Sequence, residues 1–269
     1  MNRRSLLALA PLALLALATS AHPQDWAKAR LEASPRHREY VSIKSGPRTL
    51  NTFVVYPETS RKAPVVVLIH EIFGLSDWAK SMADDLAAHG YIVLAPDLLS
   101  GTGPNSGGTD SYPGMDAITK AVSGLPADQV LSDLDAVADF GLKLPASNGK
   151  LAVTGFCWGG GKTFAFATHR KDLKSALVFY GPPPETSAMA NITAPVYGFY
   201  AGNDARIDAT IPATVEAMKA AGKKYDPVTY DGAGHGFMRA GLAPDATPAN
   251  KKAREDAFER LLTLLKPLQ

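Results

Sequence analysis

The residue with the most distinctive chemistry in this chain is Cys157, the only cysteine among 269 residues. It lies at the centre of residues 155–160, which read GFCWGG. An apolar run precedes this segment and a helix-like run follows it, a context in which small residues allow a sharp turn that presents one side chain. A lone cysteine could also pair with another chain or be an inert buried thiol. Its place in this elbow pattern, which usually carries serine, favours a cysteine nucleophile.

A thiol nucleophile works with a base, and the base works with a carboxylate that orients it. Downstream of Cys157 the chain offers Asp204 and then His235, in the order nucleophile, acid, histidine that accompanies such an elbow. Both follow predicted strands, whose carboxyl ends form the sites of open α/β sheets. Asp204 could instead stabilise a turn, and His235 could be a loop histidine that binds nothing. Because order and placement agree, the sequence favours a catalytic triad.

Strand and helix patterns alternate along the chain and must position these residues. Continuous β-branched and aliphatic runs predict strands of a parallel sheet, and apolar residues at helical spacing predict helices. The predicted strands are residues 40–56 (with a turn at 45–48), 65–69, 91–95, 151–155, 176–180, 196–201 and 228–230. The predicted helices are residues 76–89, 115–123, 126–142, 160–168, 210–221 and 249–265. The alternation predicts one doubly wound α/β domain, residues 40–269, with a mainly parallel sheet.

Residues 1–21 have the features of a secretory signal peptide. Arginines at positions 3 and 4 precede an apolar run over residues 6–18, and small residues follow it. We therefore expect cleavage near Ala21 and a periplasmic or secreted protein. An uncleaved anchor is the less favoured alternative, because a bilayer-spanning helix needs about 20 apolar residues. Residues 22–39 are polar, and we expect them to form an irregular segment on the surface.

The charge balance and the motifs that are missing limit the partners of this protein. Without the leader, the 28 basic residues fall to 26 and equal the 26 acidic ones. This balance favours neither a nucleic-acid partner nor membrane anchoring once the leader is removed. No phosphate-binding glycine pattern occurs, and residues 70–74 lack the second histidine of the zinc-protease pattern. We expect no cofactor, no metal, a small-molecule partner and a monomer.

Four motifs resemble those of the dienelactone hydrolases, also called carboxymethylenebutenolidases. They are residues 70–75 (HEIFGL), 155–160 (GFCWGG), 203–204 (ND) and 234–237 (GHGF), and the resemblance extends from about residue 40 to the C-terminus. It implies an α/β-hydrolase fold and a triad of Cys157, Asp204 and His235.

The resemblance also implies roles for residues around the nucleophile. Glu71 would contact the resting thiol and help to deprotonate it when substrate arrives. The alternative, an ion-pair or helix-start carboxylate, is less favoured because Glu71 lies at the carboxyl end of a predicted strand. The backbone N–H groups of Ile72 and Trp158 would form the oxyanion hole. Apart from the resemblance, the side chains of Phe73 and Trp158 would form an apolar wall near the nucleophile, or either could simply belong to the core.

For the substrate, the resemblance implies two arginines that hold a carboxylate. One would be Arg239, whereas residues 99–103, where the second belongs, read LSGTG and contain no arginine. Arg206 and Lys120 could substitute, although a surface role is favoured for each. One cation holds a carboxylate less tightly than a two-point clamp, so the resemblance defines the mechanism more closely than the substrate.

Together these features predict an exported cysteine hydrolase that acts on small activated esters or lactones through an acyl-enzyme. Two alternatives stay open at this point. One is a binding protein that has the fold but hydrolyses nothing. The other is an esterase or thioesterase that uses the same mechanism on larger substrates.

Overall fold

The computed structural model describes residues 25–269, which form eight strands and nine α-helices. The strands are β1 (Arg38–Ser45), β2 (Arg48–Val55), β3 (Ala63–Ile69), β4 (Ile92–Pro96), β5 (Ser147–Phe156), β6 (Leu173–Phe179), β7 (Val196–Asn203) and β8 (Tyr225–Gly234). The helices are α1 (Asp25–Glu32), α2 (Asp77–Ala87), α3 (Met115–Ser123), α4 (Ala127–Lys143), α5 (Trp158–His169), α6 (Ala205–Asp208), α7 (Ile211–Ala220), α8 (Phe237–Ala240) and α9 (Pro248–Leu265). The predicted signal peptide lies outside these residues. Within residues 25–269, no helix is both long and apolar enough to cross a membrane.

All eight strands join one sheet in the order β1-β2-β4-β3-β5-β6-β7-β8. The β1–β2 hairpin and the β2–β4 pair are antiparallel, and every other neighbouring pair is parallel. This confirms the predicted mainly parallel α/β-hydrolase sheet. Because parallel neighbours end on the same side, the carboxyl ends of β3, β5, β6, β7 and β8 all meet at one edge of the sheet.

Helices cover the sheet on both faces and bury its side chains. Helices α1, α2 and α9 contribute to the core on one face. Helices α4, α5 and α7 contribute to the core on the other. Strand β3 is consequently buried along its whole length, as expected for a parallel strand between two helical layers. The loops at the carboxyl edge therefore extend from a well-packed platform.

The N-terminal segment is more ordered than the sequence predicts. Residues 22–39 are expected to be irregular, but Asp25–Glu32 forms α1 and β1 begins at Arg38. Ala27 is fully buried, and Arg30 pairs with Asp85 of α2 at 2.8 Å. The helix is short and polar, so its stability depends on these tertiary contacts rather than on an apolar period visible in the sequence.

Strand β8 is longer than the three residues predicted, since it runs from Tyr225 to Gly234. It is the edge strand beside β7. An edge strand tolerates proline and exposed polar residues. These residues interrupt the apolar run by which a buried strand is recognised in the sequence. Its extension has a functional consequence, because β8 ends immediately before His235.

Candidate active site

The elbow between β5 and α5 presents Cys157 at the carboxyl edge of the sheet. Its backbone has φ 57° and ψ −117°, a conformation that residues other than glycine rarely adopt. The backbone N–H of Cys157 donates to the carbonyl of Phe179 at 3.0 Å, which ties the turn to the neighbouring strand β6. The side chain is half-buried. The predicted nucleophile is thus held in a strained turn that leaves the thiol accessible.

The glycines around the elbow are required by close backbone packing. A Cβ atom on Gly159 would overlap the carbonyl oxygens of Ile69 and His70, at the end of β3. A Cβ atom on Gly160 would overlap the carbonyl oxygen of Phe179. Helix α5 can therefore approach β3 and β6 closely only because these positions carry no side chain.

We expect Gly159→Ala to destabilise the protein by about 3 kcal/mol, because the new methyl group must push two strand carbonyls apart. Chemical denaturation followed by circular dichroism measures this change. Gly124→Ala is the matched control, since a Cβ there meets nothing closer than 3.4 Å and the backbone φ of −86° suits alanine. Equal stability of the two variants would contradict the proposed close packing.

The three predicted triad residues come together at this edge. Asp204 follows β7, and its carboxylate accepts a hydrogen bond from Nδ1 of His235, which follows β8. The same imidazole interacts with Cys157, and this interaction raises the imidazole pKa. The Asp204 side chain is 8% exposed and that of His235 is 32% exposed. This is the geometry of a base that is oriented by a buried acid and reaches the nucleophile.

The environment of His235 raises its pKa from 6.5 to about 9. Interaction with Cys157 is the largest cause of the increase, burial acts in the opposite direction, and the hydrogen bond and charge of Asp204 add to the increase. The raised pKa makes the imidazole a stronger base towards the thiol. The imidazole can therefore hold the proton that leaves the thiol and deliver it later in the reaction.

This pKa predicts a pH-dependent contribution of His235 to stability. Because the folded-state pKa lies above 6.5, the contribution is complete below about pH 6.5 and is lost as the pH rises through about 9. In Cys157→Ala the largest cause of the shift is gone, so we expect a lower imidazole pKa and a smaller loss of stability over this range. NMR titration of His235 checks the pKa, and denaturation at several pH values checks the stability. An unchanged His235 pKa in the variant would contradict the proposed interaction between Cys157 and His235.

Glu71 is paired with a cation in this structure. Its buried carboxylate accepts a hydrogen bond from Nε of Arg239 at 2.8 Å, and the Arg239 guanidinium lies 5.0 Å from the ring centre of Phe73. Burial raises the pKa of Glu71, and the positive charge and hydrogen bond of Arg239 oppose that increase. The resemblance implied contact between Glu71 and the resting thiol; within residues 25–269, Glu71 makes its side-chain hydrogen bond with Arg239 instead.

The two backbone N–H groups expected to form an oxyanion hole have no acceptor among the described residues. Ile72 follows β3, and Trp158 is the first residue of α5, where helix N–H groups lack intrahelical partners. The Trp158 ring stacks on the His70 ring, with 5.6 Å between the ring centres. Both N–H groups are thus free to bind a developing negative charge.

Comparison with known proteins identifies the family. Residues 50–269 match the model of the dienelactone hydrolase family. This chain belongs to that family. A protein assigned as a carboxymethylenebutenolidase in Salmonella typhi is 31% identical over 265 residues, covering 91% of this chain and 96% of the relative. A similarly assigned protein of Methylorubrum extorquens is 37% identical over 235 residues, covering 82% of this chain and 78% of the relative.

Solved structures agree with the family membership. The crystal structure of a protein assigned as a dienelactone hydrolase from Klebsiella pneumoniae has a TM-score of 0.75 and 28% sequence identity, and it covers 86% of this chain and 98% of that one. Membership of the dienelactone hydrolase family makes this chain a carboxylic ester hydrolase. The binding-protein alternative is therefore disfavoured.

Several residues of this dienelactone hydrolase family member have roles apart from the reaction centre. Asp97 accepts hydrogen bonds from the backbone of Leu99 and from Thr109, so it anchors a loop. Lys120 on α3 and Arg206 on α6 are exposed, as their expected surface roles require. The structure therefore places one arginine, Arg239, against the predicted catalytic residues, and its contact is Glu71.

One residue beside the triad was not predicted from the sequence. Tyr180 directly follows β6, is fully buried, and packs its ring edge-on against His235 at 5.0 Å between ring centres. The sequence pattern places it inside the strand at residues 176–180. Like Asp204, it directly follows a buried strand at the carboxyl edge of the sheet, and that position is the sequence signal that could have identified it.

Proposed function

We propose that this protein hydrolyses small activated esters or lactones through an acyl-enzyme formed on Cys157. The observation that carries the proposal is that His235 is hydrogen-bonded to Asp204 and interacts with Cys157, which raises the imidazole pKa. This arrangement supplies a nucleophile, a base and an orienting acid at one edge of the sheet. A thiolate is a good nucleophile towards carbonyls with good leaving groups, which include enol and aryl esters.

The reaction begins when the thiol proton moves to His235. The sulfur attacks the carbonyl carbon, and the negative charge on the carbonyl oxygen is stabilised by the N–H groups of Ile72 and Trp158. Collapse of this intermediate expels the alcohol or enol, which takes the proton from His235. Water then attacks the thioester with His235 as the base, which releases the acid and restores the thiol.

The substrate class follows from the surroundings of Arg239. Its side chain is 30% exposed, and one of its five N–H donors is used by Glu71. The remaining donors suit a substrate carboxylate, and the Phe73 ring lies beside them. An anionic substrate competes with Glu71 for this cation. Glu71 released in this way is a second base near the thiol, consistent with the role that the resemblance implies.

We expect Arg239→Gln to lower kcat/KM for an anionic aryl ester by about 10- to 100-fold more than for its neutral counterpart, the range for a charged hydrogen bond. The ratio of the two constants is the informative quantity, because loss of the Glu71 partner affects both substrates. Arg206→Gln is the control, since Arg206 is exposed on α6. Its ratio of kcat/KM for the anionic and neutral esters should equal that of the unmodified protein. Equal losses for both esters in Arg239→Gln would contradict carboxylate binding.

A hydrolysis screen tests the proposed substrate class. Lactones, aryl esters and thioesters with and without a carboxylate are assayed with the unmodified protein and with Cys157→Ala. We expect the highest kcat/KM for small anionic lactones or esters. Fastest turnover of long-chain esters or thioesters would instead support the alternative with larger substrates.

We further propose that the protein is exported and works in the periplasm or outside the cell. The support is the composition of residues 1–21. Cell fractionation, together with N-terminal sequencing of the recovered protein, tests this. Export predicts a new N-terminus near residue 22, whereas an intact leader on cytoplasmic protein would contradict it.

A further inference from the structure

Tyr180 carries a buried hydroxyl group that the triad does not use. The side chain is fully buried, and its oxygen has no hydrogen-bond partner among the described residues. Buried polar groups in folded proteins nearly always have a partner. A lone hydroxyl beside a reaction centre therefore indicates a partner that forms during the reaction.

The backbone and the surrounding rings fix the position of this side chain. Tyr180 has φ 37°, which is unusual for a residue other than glycine, and its N–H donates to the carbonyl of Phe199 at 2.8 Å. Its ring contacts His235 and also Phe237, at 5.2 Å between centres. A strained residue held on several sides is typical of a functional position.

The groups that face Tyr180 show that it can only donate. Burial raises the pKa of its phenol well above the ordinary value, and the negative charge of Glu71, together with that of Cys157 once it ionises, raises it further. Arg239 and the backbone N–H of Met238 act in the opposite direction. The hydroxyl therefore stays protonated at every pH at which the enzyme works, and it acts as a hydrogen-bond donor rather than as a base.

Cys157 adjoins Tyr180, because its backbone N–H donates to the carbonyl of Phe179 at 3.0 Å. Among these neighbours, the ionised sulfur is the acceptor that lacks a donor. Arg239 and the Met238 N–H are donors themselves and cannot accept. Glu71 already accepts from Arg239 at 2.8 Å. The neutral thiol is a weak acceptor, but a thiolate carries a full charge and accepts strongly.

We propose that Tyr180 donates a hydrogen bond to the sulfur of Cys157 when the thiol ionises, an inference that rests on the cysteine mechanism above. The thiol proton moves to His235, the sulfur keeps the electron pair, and Tyr180 shares its hydrogen without transferring it. When the S–C bond forms, the charge passes to the carbonyl oxygen and the hydrogen bond weakens. Tyr180 thereby increases the fraction of reactive thiolate.

Tyr180→Phe tests this proposal, because it removes the hydroxyl and keeps the ring. We expect kcat/KM to fall by about 10- to 100-fold. We also expect the pH midpoint for alkylation of Cys157 by iodoacetamide to rise by about 1 to 2 units. The signal is specific because Cys157 is the only cysteine.

Tyr230→Phe is the matched control. Tyr230 is also a buried tyrosine packed on Phe237, at 5.3 Å between ring centres, but it faces Arg260 and Asp256 rather than the thiol. We expect it to keep the alkylation profile and kcat/KM of the unmodified protein. A Tyr180→Phe profile equal to that of the unmodified protein or of Tyr230→Phe would overturn the proposal. Turnover that survives in Cys157→Ala would instead overturn the cysteine mechanism, so the two failures are distinguishable.

Discussion

Replacing Cys157 with alanine is expected to reduce kcat for an aryl ester or lactone by roughly 10⁴-fold or more, since loss of a nucleophile removes the covalent route. The Asp204–His235 hydrogen bond and the oxyanion N–H groups stay in place, and they leave only weak residual catalysis. Steady-state assays with a chromogenic ester measure the change. Circular dichroism and the unfolding temperature establish that the variant is folded.

Cys157→Ser is the companion variant. The hydroxyl keeps the geometry of the elbow but is a poorer nucleophile than a thiolate, so its activity should lie between those of the unmodified protein and Cys157→Ala. The half-buried thiol is held in a strained conformation by the turn. Turnover in Cys157→Ala close to that of the unmodified protein would rule out Cys157 as the nucleophile.

Replacing His235 with asparagine is expected to lower kcat by roughly 10³-fold, within the range for general acid–base catalysis. Asparagine neither accepts the thiol proton nor returns it to the leaving group. The loss should be smallest at high pH, where hydroxide ionises the thiol without the imidazole. A pH–rate profile of the variant beside the unmodified protein measures both effects.

His169→Asn is the matched control for His235→Asn. His169 is the last residue of α5, is 45% exposed, and pairs with Asp135 at 2.6 Å. A surface pair of this kind contributes little to stability, and we expect kcat to stay within about twofold of the unmodified protein. Equal losses in the two histidine variants would contradict a specific role for His235.

The sequence predicts the triad and the sheet because both depend on local patterns. The glycines beside Cys157 are needed wherever a helix and strands approach this closely, so the elbow is visible as a short motif. Asp204 and His235 follow strands of one sheet, and the common edge of parallel strands brings them together. The strand order of the sheet is therefore enough to predict that Asp204 and His235 lie close together.

Features that depend on tertiary contacts are not predictable in this way. Helix α1 is stabilised by its packing against α2, including the Arg30–Asp85 pair. The Glu71–Arg239 pair joins residues 168 positions apart, and no local pattern shows which partner a buried carboxylate selects. The unpaired hydroxyl of Tyr180 is visible only when every neighbour is in place.

Trapping the acyl-enzyme tests the central claim most directly. The protein is mixed with a chromogenic ester, quenched in acid within the first turnover, and analysed by intact mass and peptide mapping. We predict one acyl group per chain, located on the peptide that contains Cys157, with no adduct on Cys157→Ala. Productive hydrolysis without any adduct, or with the acyl group on another residue, would contradict the cysteine mechanism.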